Sequence, residues 1–137
     1  MSTPNPVISS EAPAAIGPYV HAVQHGDVLY CSGSLPIDPT SGELDNVDLT
    51  AETTRSLANL EAVCKEVGTS LTNALRMSIY TTRLDGFPEI NEAYGTFFVK
   101  LGDDWVPART TIGVGALPKD ARVEIDAIVA VSSRHSR

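Results

Sequence analysis

The chain has 137 residues, with 10 Lys and Arg against 17 Asp and Glu, and a net charge of −7. This length is typical of one domain, since domains cluster near ~100–150 residues, and 42% apolar content is too high for a disordered chain. The acidic balance argues against nucleic acid and anionic membranes as partners, because both are negatively charged. A chain this short buries only about two-thirds of its unfolded surface. A site shared between subunits is therefore an alternative to a large cleft within one copy.

The number of cysteines and the lengths of the apolar runs indicate the cellular compartment of the protein. Cys31 and Cys64 are too few for a disulfide framework and lie in short apolar stretches, so we interpret both as small buried side chains. No apolar run approaches the ~18–20 residues of a membrane span. Residues 1–6 lack the basic start and apolar run of a signal peptide. We expect a soluble, cytoplasmic protein.

The first predicted element is a hairpin. Residues 19–34 contain two β-rich runs on either side of His25-Gly26-Asp27, which has the composition of a turn. Residues 35–43 are rich in Pro, Gly, Ser and Asp, which predicts a surface loop.

Two helices are predicted further along the chain, with a strand between them. Apolar residues recur every three or four positions over residues 51–67, with Asp48 or Thr50 as the cap and Gly68 after the end. Residues 75–84 contain the β-branched and aromatic run Ile79-Tyr80-Thr81-Thr82, which favours a strand. The second helix begins at Pro88 and ends at Gly102. Its buried side chains are expected to be Ile90, Tyr94, Phe97, Phe98 and Leu101.

Two strands are predicted at residues 109–116 and 122–131. In the second, alternate residues from Val123 to Val131 are apolar and should form one core face. The opposite face begins with Glu124 and Asp126 and then becomes apolar, so part of it should also be covered. The order β-β-α-β-α-β-β predicts an α+β layer, a mixed sheet with both helices on one face. A second copy of the chain is the simplest cover for the other face.

Common catalytic motifs are absent from the sequence. The Gly-Val-Gly run at 113–115 lacks the third glycine and the helix of a dinucleotide loop, and no phosphate loop, zinc helix or nucleophile elbow is found. His21, His25 and His135 are scattered, which argues against a metal site or a triad. We therefore expect no cofactor and no metal.

Arg109 is the candidate that remains. It begins a strand and shares its face with Thr111 and two glycines, a composition more typical of a pocket wall than of a core. An arginine in this place either makes a structural or solvated ion pair, or clamps a substrate carboxylate through its planar guanidinium. Glu124 lies on the next strand, across the connection at 117–121.

Six blocks of sequence identify a related family. They are residues 12–19 (APAAIGPY), 32–33 (SG), 42–43 (GE), 90–94 (INEAY), 107–109 (PAR) and 117–125 (LPKDARVEI). In this order and spacing the chain resembles the YjgF/YER057c/UK114 family, also called the Rid proteins, and in particular its reactive intermediate deaminase A branch. The resemblance covers about residues 12–130.

The resemblance implies a single domain over residues 1–137, with its core at about 12–131 and a chorismate-mutase-like fold. It also implies a homotrimer with clefts between subunits, and hydrolysis of enamines and imines to 2-oxo acids and ammonia. Examples of these substrates are 2-aminoacrylate, 2-iminopropanoate and 2-iminobutanoate. In the family an arginine holds the substrate carboxylate and a glutamate helps to place the attacking water, which implies Arg109 and Glu124 as the catalytic residues. The implied substrate-binding residues are Tyr19, Ser32, Gly33, Asn91 and Thr111.

Some residues depart from the family pattern or allow other interpretations. Thr111 stands where the branch commonly has cysteine, and Ser34 where many relatives have glutamine, which leaves substrate preference open. Glu124 could instead be a structural partner of Arg109. Tyr19 could be a core ring, and Asn91 a helix-surface residue.

Two other functions are alternatives to an imine deaminase. A non-catalytic binder of small 2-oxo acids or similar carboxylates would use the same cleft and the same arginine, and would differ in not needing Glu124 for turnover. A ribonuclease is the other alternative, reported for some relatives. The net charge of −7 and the lack of a basic stripe count against it.

Overall fold

A computed structural model describes residues 3–102 and 104–132, so His135 lies outside the described residues. The strands are β1 (Asn5–Val7), β2 (Ala22–His25), β3 (Val28–Ser34), β4 (Ala74–Thr81), β5 (Ala108–Gly113) and β6 (Val123–Ala130), and the helices are α1 (Leu49–Glu66) and α2 (Phe87–Lys100). The strands form one sheet in the order β1-β2-β3-β6-β4-β5. Strands β4 and β5 are parallel and the other neighbours are antiparallel, which confirms the mixed sheet. Neither helix is long and apolar enough to cross a membrane.

The N-terminal strands differ from the prediction. Strand β1 was not expected, because its three residues carry no local β pattern and are held only by pairing with β2. The hairpin turn is Gly26-Asp27, with Gly26 at a φ of 64°, while His25 belongs to β2 and pairs with Val28. Tyr19 lies before β2, in an irregular segment.

Both helices agree with the sequence pattern. Asp48 caps α1, because its side chain accepts a hydrogen bond from the N–H of Ala51 at 2.8 Å. Gly68 and Gly102 follow the two helices with φ of 76° and 87°, a conformation that glycine adopts without strain. Cys64 is fully buried on α1, as expected, whereas Cys31 on β3 is only partly buried.

The predicted surface loop at residues 35–43 is partly buried. Leu35 and Ile37 are 8% and 6% exposed and pack with Ala121 in a small second core. The Nδ2 group of Asn59, on α1, donates to the carbonyl oxygens of Leu35 at 3.1 Å and Ile37 at 2.9 Å. The loop prediction is wrong for these residues, because a helix side chain provides the donors that a buried loop backbone needs.

The sheet has one face under the helices and one open face. Under the helices lie fully buried residues of the two central strands, namely Met77, Ile79, Val123, Ile125, Ala127 and Val129. The open face carries Tyr80, Glu124, Asp126 and Ile128, which are partly buried, and Tyr30 and Ile112, which are 48% and 45% exposed. Both helices therefore cover one face, as predicted, and the open face mixes apolar rings with carboxylates.

Candidate functional site

Four of the predicted site residues line one groove at the open face. The groove has a volume of about 390 Å³ and is formed by Tyr19, Ser32, Gly33 and Glu124, together with Ile16, Leu35 and Pro118. Tyr19 is 44% exposed, so the interpretation of Tyr19 as a core ring is wrong. Its hydroxyl oxygen accepts a hydrogen bond from the N–H of Ile16 at 3.3 Å, which closes the loop that carries both residues.

A β-bulge places Gly33 directly beside Glu124. Cys31 pairs with Ala127 and Ser34 with Ile125, so two residues of β3 oppose one residue of β6. A Cβ atom at position 33 would lie 2.5 Å from Oε2 of Glu124. Only glycine leaves the carboxylate its present position, which is a local reason for the Ser-Gly pair at 32–33.

The carboxyl group of Glu124 is partly buried and lies near a second acid. Burial raises its pKa above the usual value, and the negative charge of Asp126 raises it further. Asp126 in turn accepts a hydrogen bond from the hydroxyl of Tyr80 at 3.2 Å. A carboxylate with a raised pKa is a stronger base than an exposed one, which suits it to accept a proton from water.

Arg109 lies on the helix side of the sheet, at the edge strand β5. Its guanidinium carbon lies 4.7 Å from the ring centroid of Tyr94 and 5.6 Å from that of Phe87, both on α2. Burial raises the pKa of Tyr94 to about 12, so this ring stays neutral beneath the cation. Among residues 3–102 and 104–132, no carboxylate lies within salt-bridge distance of Arg109. The guanidinium is therefore held by aromatic rings and keeps its hydrogen-bonding edge for another partner.

Two more predicted residues belong with Arg109. Asn91 is exposed on α2, four residues after Phe87 and three before Tyr94, so it lies on the same side of the helix. Thr111 shares the strand face of Arg109, and its Oγ1 atom is buried with no hydrogen-bond partner among the described residues. We call Arg109, Asn91 and Thr111 the arginine cluster.

The arginine cluster and the groove are not joined within one chain. Glu124 on β6 and Ile112 on β5 both pair with Tyr80 on β4, so they lie at the same level of the sheet. Arg109 lies three residues before Ile112 on β5 and faces the helices. With strands about 4.8 Å apart and about 3.3 Å of rise per residue, the Cα atoms of Arg109 and Glu124 are roughly 14 Å apart. The two side chains point to opposite faces of the sheet. Within one chain Glu124 is thus not the ion-pair partner of Arg109.

Several residues at the site were not singled out from the sequence. Phe87 and Tyr94 support Arg109, and their spacing of seven residues around Asn91 was the available signal. Pro118 enters the groove from a turn in which Lys119 and Asp120 both have a φ of 60°, a conformation that is costly for residues other than glycine and that sequence alone does not reveal. Across the described part of the chain, no group of three or more His, Cys, Asp or Glu side chains is placed to hold a metal ion.

Comparison with known proteins gives a consistent family. A family model described as Endoribonuclease L-PSP matches residues 9–131. The RutC family protein y4sK of Sinorhizobium fredii is 38% identical over 127 residues, which cover 93% of this chain and 98% of that protein. The 2-iminobutanoate/2-iminopropanoate deaminase of Escherichia coli K12 is 34% identical over 122 residues, 89% of this chain and 94% of that protein.

Solved structures have the same fold. The crystal structure of the YjgF gene product from E. coli superposes with a TM-score of 0.88 at 33% identity, covering 92% of this chain and 98% of that one. E. coli TdcF with bound serine gives a TM-score of 0.88 at 35% identity, covering 93% and 99%. The match spans nearly the whole chain in sequence and in fold, and the chain therefore belongs to the Endoribonuclease L-PSP family, the group of the YjgF, RutC and Rid proteins.

Proposed function

We propose that this protein hydrolyses reactive enamine and imine intermediates to 2-oxo acids and ammonia, with Arg109 and Glu124 as its catalytic residues. The observation that carries the proposal is the state of these two side chains. Arg109 is a guanidinium without a carboxylate partner among the described residues, and Glu124 is a partly buried carboxylate with a raised pKa in an open groove. One group suits a substrate carboxylate and the other suits a water molecule.

The complete site is proposed to form between two copies of the chain, within a homotrimer. Because the arginine cluster and the groove face opposite sides of the sheet, a substrate that contacts both must lie between subunits. The exposed side chains of Tyr30 and Ile112 on the open face favour such an assembly, since burial of apolar side chains drives association. Each copy would then provide the arginine cluster of one site and the groove of another.

The chemistry needs positioning more than a strong nucleophile. The imine carbon is already electrophilic, so the main requirements are orientation of the substrate and placement of a water molecule. Arg109 would bind the substrate carboxylate through two N–H donors, with Asn91 and Thr111 beside it. Glu124 would take a proton from the water molecule as the water oxygen bonds to the imine carbon. That proton then passes to the nitrogen and gives a tetrahedral amino alcohol. Transfer of the remaining hydroxyl proton to the nitrogen, as the C=O bond forms, breaks the C–N bond and releases ammonia and the 2-oxo acid.

The relatives support a small α-carboxylate as the substrate class. One is named 2-iminobutanoate/2-iminopropanoate deaminase, and the structure of TdcF contains serine, an amino acid with an α-carboxylate. We expect 2-aminoacrylate, 2-iminopropanoate and 2-iminobutanoate to be accepted, in the cytoplasm, where pyridoxal-phosphate-dependent dehydratases produce such intermediates.

A coupled assay tests the proposal. A serine or threonine dehydratase generates the imine, and release of the 2-oxo acid is followed with and without this protein. Arg109→Ala should lower kcat/KM by roughly 100-fold or more, because the charged clamp for the substrate carboxylate is lost. Arg83→Ala is the matched control, since Arg83 is an exposed arginine paired with Asp85, and it should retain wild-type activity. No acceleration by the wild type, or an Arg109→Ala variant as fast as wild type, contradicts the proposal.

A second variant separates an enzyme from a binder. Glu124→Gln keeps the size and hydrogen bonding of the side chain but removes the base. Turnover should be lost while pyruvate still binds in a calorimetric titration. If wild type and Glu124→Gln bind pyruvate equally and neither turns over imine, the protein is a carboxylate-binding module.

A further inference from the structure

One wall of the groove is an irregular segment, residues 9–19, that connects β1 to β2. It carries Ile16 and Tyr19, which line the groove with Glu124. Most of its hydrogen bonds among the described residues are local: Glu11 N–H to Ser9 Oγ, Ala12 N–H to Ser9 O, Ile16 N–H to the Tyr19 hydroxyl and Tyr19 N–H to Gly17 O. Such bonds shape the segment without attaching it to the sheet.

His21 makes the attachment. The N–H of Ser9 donates to Nδ1 of His21 at 3.0 Å, and Nε2 of His21 lies 2.7 Å from the carbonyl oxygen of Pro13. Because Nδ1 accepts and a carbonyl can only accept, the proton of the neutral ring must be on Nε2. Ser9 is 2% exposed, so water does not readily replace the ring as acceptor for its N–H.

We propose that His21 is a positioning residue of the groove: its neutral imidazole holds residues 9–19 against the sheet through both ring nitrogens and so fixes the wall that carries Ile16 and Tyr19. A protonated ring carries N–H on both nitrogens, so Nδ1 would then face the Ser9 N–H donor with a donor of its own. The kinetic consequence rests on the function proposed above.

The surroundings of the ring offer no compensation for a positive charge. His21 lines a small cavity of about 50 Å³ between residues 12–19, β3 and α1. Helix α1 contributes Asn59, Leu60 and Val63 to the cavity lining, and β3 contributes Ser32, Gly33 and Ser34. The lining residues from the segment are uncharged, and Tyr19 is the one among them with a titratable group. Glu11 on the segment is exposed, and Glu124 lines the groove rather than this cavity. No described carboxylate forms a salt bridge with His21, so protonation also places an unpaired charge in a mostly apolar cavity.

Glutamine provides a matched replacement. Its carboxamide oxygen can accept from Ser9 and its NH₂ group can donate to Pro13, but it does not titrate. In the dehydratase-coupled assay at pH 8, His21→Ala should raise the KM for 2-aminoacrylate by about tenfold, because both hydrogen bonds that hold the wall are lost. His21→Gln should keep the wild-type KM at pH 8.

The kinetic test has one control variant and two outcomes that would contradict it. His25→Ala removes an exposed histidine from β2 and should keep the wild-type KM at pH 8. A wild-type KM in His21→Ala at pH 8, or a KM in His21→Gln as high as that of His21→Ala, overturns the role of His21.

A measurement without turnover separates this inference from the proposed function. In ¹⁵N NMR spectra at pH 8, the His21 ring should be protonated at Nε2 only, and the Ser9 amide should exchange slowly with solvent. Exchange should be faster in His21→Ala and unchanged in His21→Gln. If the wild type fails to deaminate imines but these results hold, the proposed function is wrong and the His21 attachment stands. A proton on Nδ1, or equal exchange in all three proteins, refutes the attachment itself.

Discussion

Arg109 and Glu124 face opposite sides of the same sheet, Arg109 against the rings of Tyr94 and Phe87 and Glu124 beside the bulge at Gly33. A side chain cannot change faces without a shift of strand register, which would bury the wrong residues along the whole strand. Under the proposed function, each copy of the chain contributes half of two sites rather than one whole site. This division also allows the two halves to be tested separately.

Mixed oligomers of two inactive variants should regain activity. Arg109→Ala keeps a working groove, and Glu124→Gln keeps a working arginine cluster. When the two are co-expressed in equal amounts, about one quarter of the intersubunit sites combine both intact halves. The coupled assay should therefore give about one quarter of the wild-type rate per site, whereas each variant alone should be nearly inactive.

Simple mixing of the purified variants without subunit exchange is the control for this complementation, and it should give no recovery. A second control is the double variant that carries Arg109→Ala and Glu124→Gln on the same chain. Co-expressed with wild type, it shows how the rate per site falls as inactive chains replace wild-type chains. Recovery no greater than the sum of the two single variants would show that the site lies within one chain.

Gly33→Ala should impair catalysis more than folding. The added Cβ would meet the Glu124 carboxylate, which is the far end of a flexible side chain and can move aside. We expect a fall in kcat of about tenfold or more, because a base displaced by about 1 Å no longer reaches its water. The thermal unfolding midpoint should change little. Gly115→Ala is the control, since no atom lies within 4 Å of a Cβ at that position, and equal activities of the two variants would argue against a precise role for Glu124.

The acid limb of the kcat profile should depend on Asp126. Glu124 must be ionised to accept a proton, so kcat falls as the pH falls through its raised pKa. Burial raises this pKa first and the charge of Asp126 raises it further. Asp126→Asn removes the charge but keeps an acceptor for the Tyr80 hydroxyl, so the pKa of Glu124 should fall and the acid limb should move to lower pH.

Asp27→Asn, in the exposed hairpin turn, makes the same change of net charge far from Glu124 and should leave the limb in place. The kcat profile is the appropriate measurement, because the His21 effect is expected in KM. If the acid limb of the kcat profile moves to higher pH in Asp126→Asn, the electrostatic argument is contradicted.

Glu52 should be essential for stability although it is remote from the groove. Its side chain is fully buried on α1, where it accepts hydrogen bonds from the backbone N–H of Arg122 at 2.8 Å and from the Arg122 guanidinium. Removal of one partner of a buried pair typically costs about 3–5 kcal/mol, so Glu52→Ala should lower the free energy of unfolding by about that amount. Urea denaturation measures the change. Glu66→Ala, exposed at the end of α1, should stay within about 0.5 kcal/mol of wild type.

The sequence by itself determined the elements with a clear local pattern. The apolar spacing of α1, the proline at the start of α2 and the alternation of β6 each predict an element that the structure contains. The family resemblance and the residue types at positions 109 and 124 also came from sequence, because motifs and periodicity are local properties of the chain. Strand β1 and the buried start of the loop at 35–43 could not be predicted this way, since both depend on partners distant in sequence.

Only the tertiary structure decided how the site residues are divided. Alternation along a strand separates its residues into two sets but does not say which set lies under the helices. That choice follows from the parallel pairing of β5 with β4, which aligns Arg109 with buried Met77, and from the antiparallel pairing of β6, which aligns Glu124 with Tyr80 on the open face. The attachment of the groove wall to His21 is likewise tertiary, because hydrogen bonds to Ser9 and Pro13 form only when β1 brings the segment back to the start of β2.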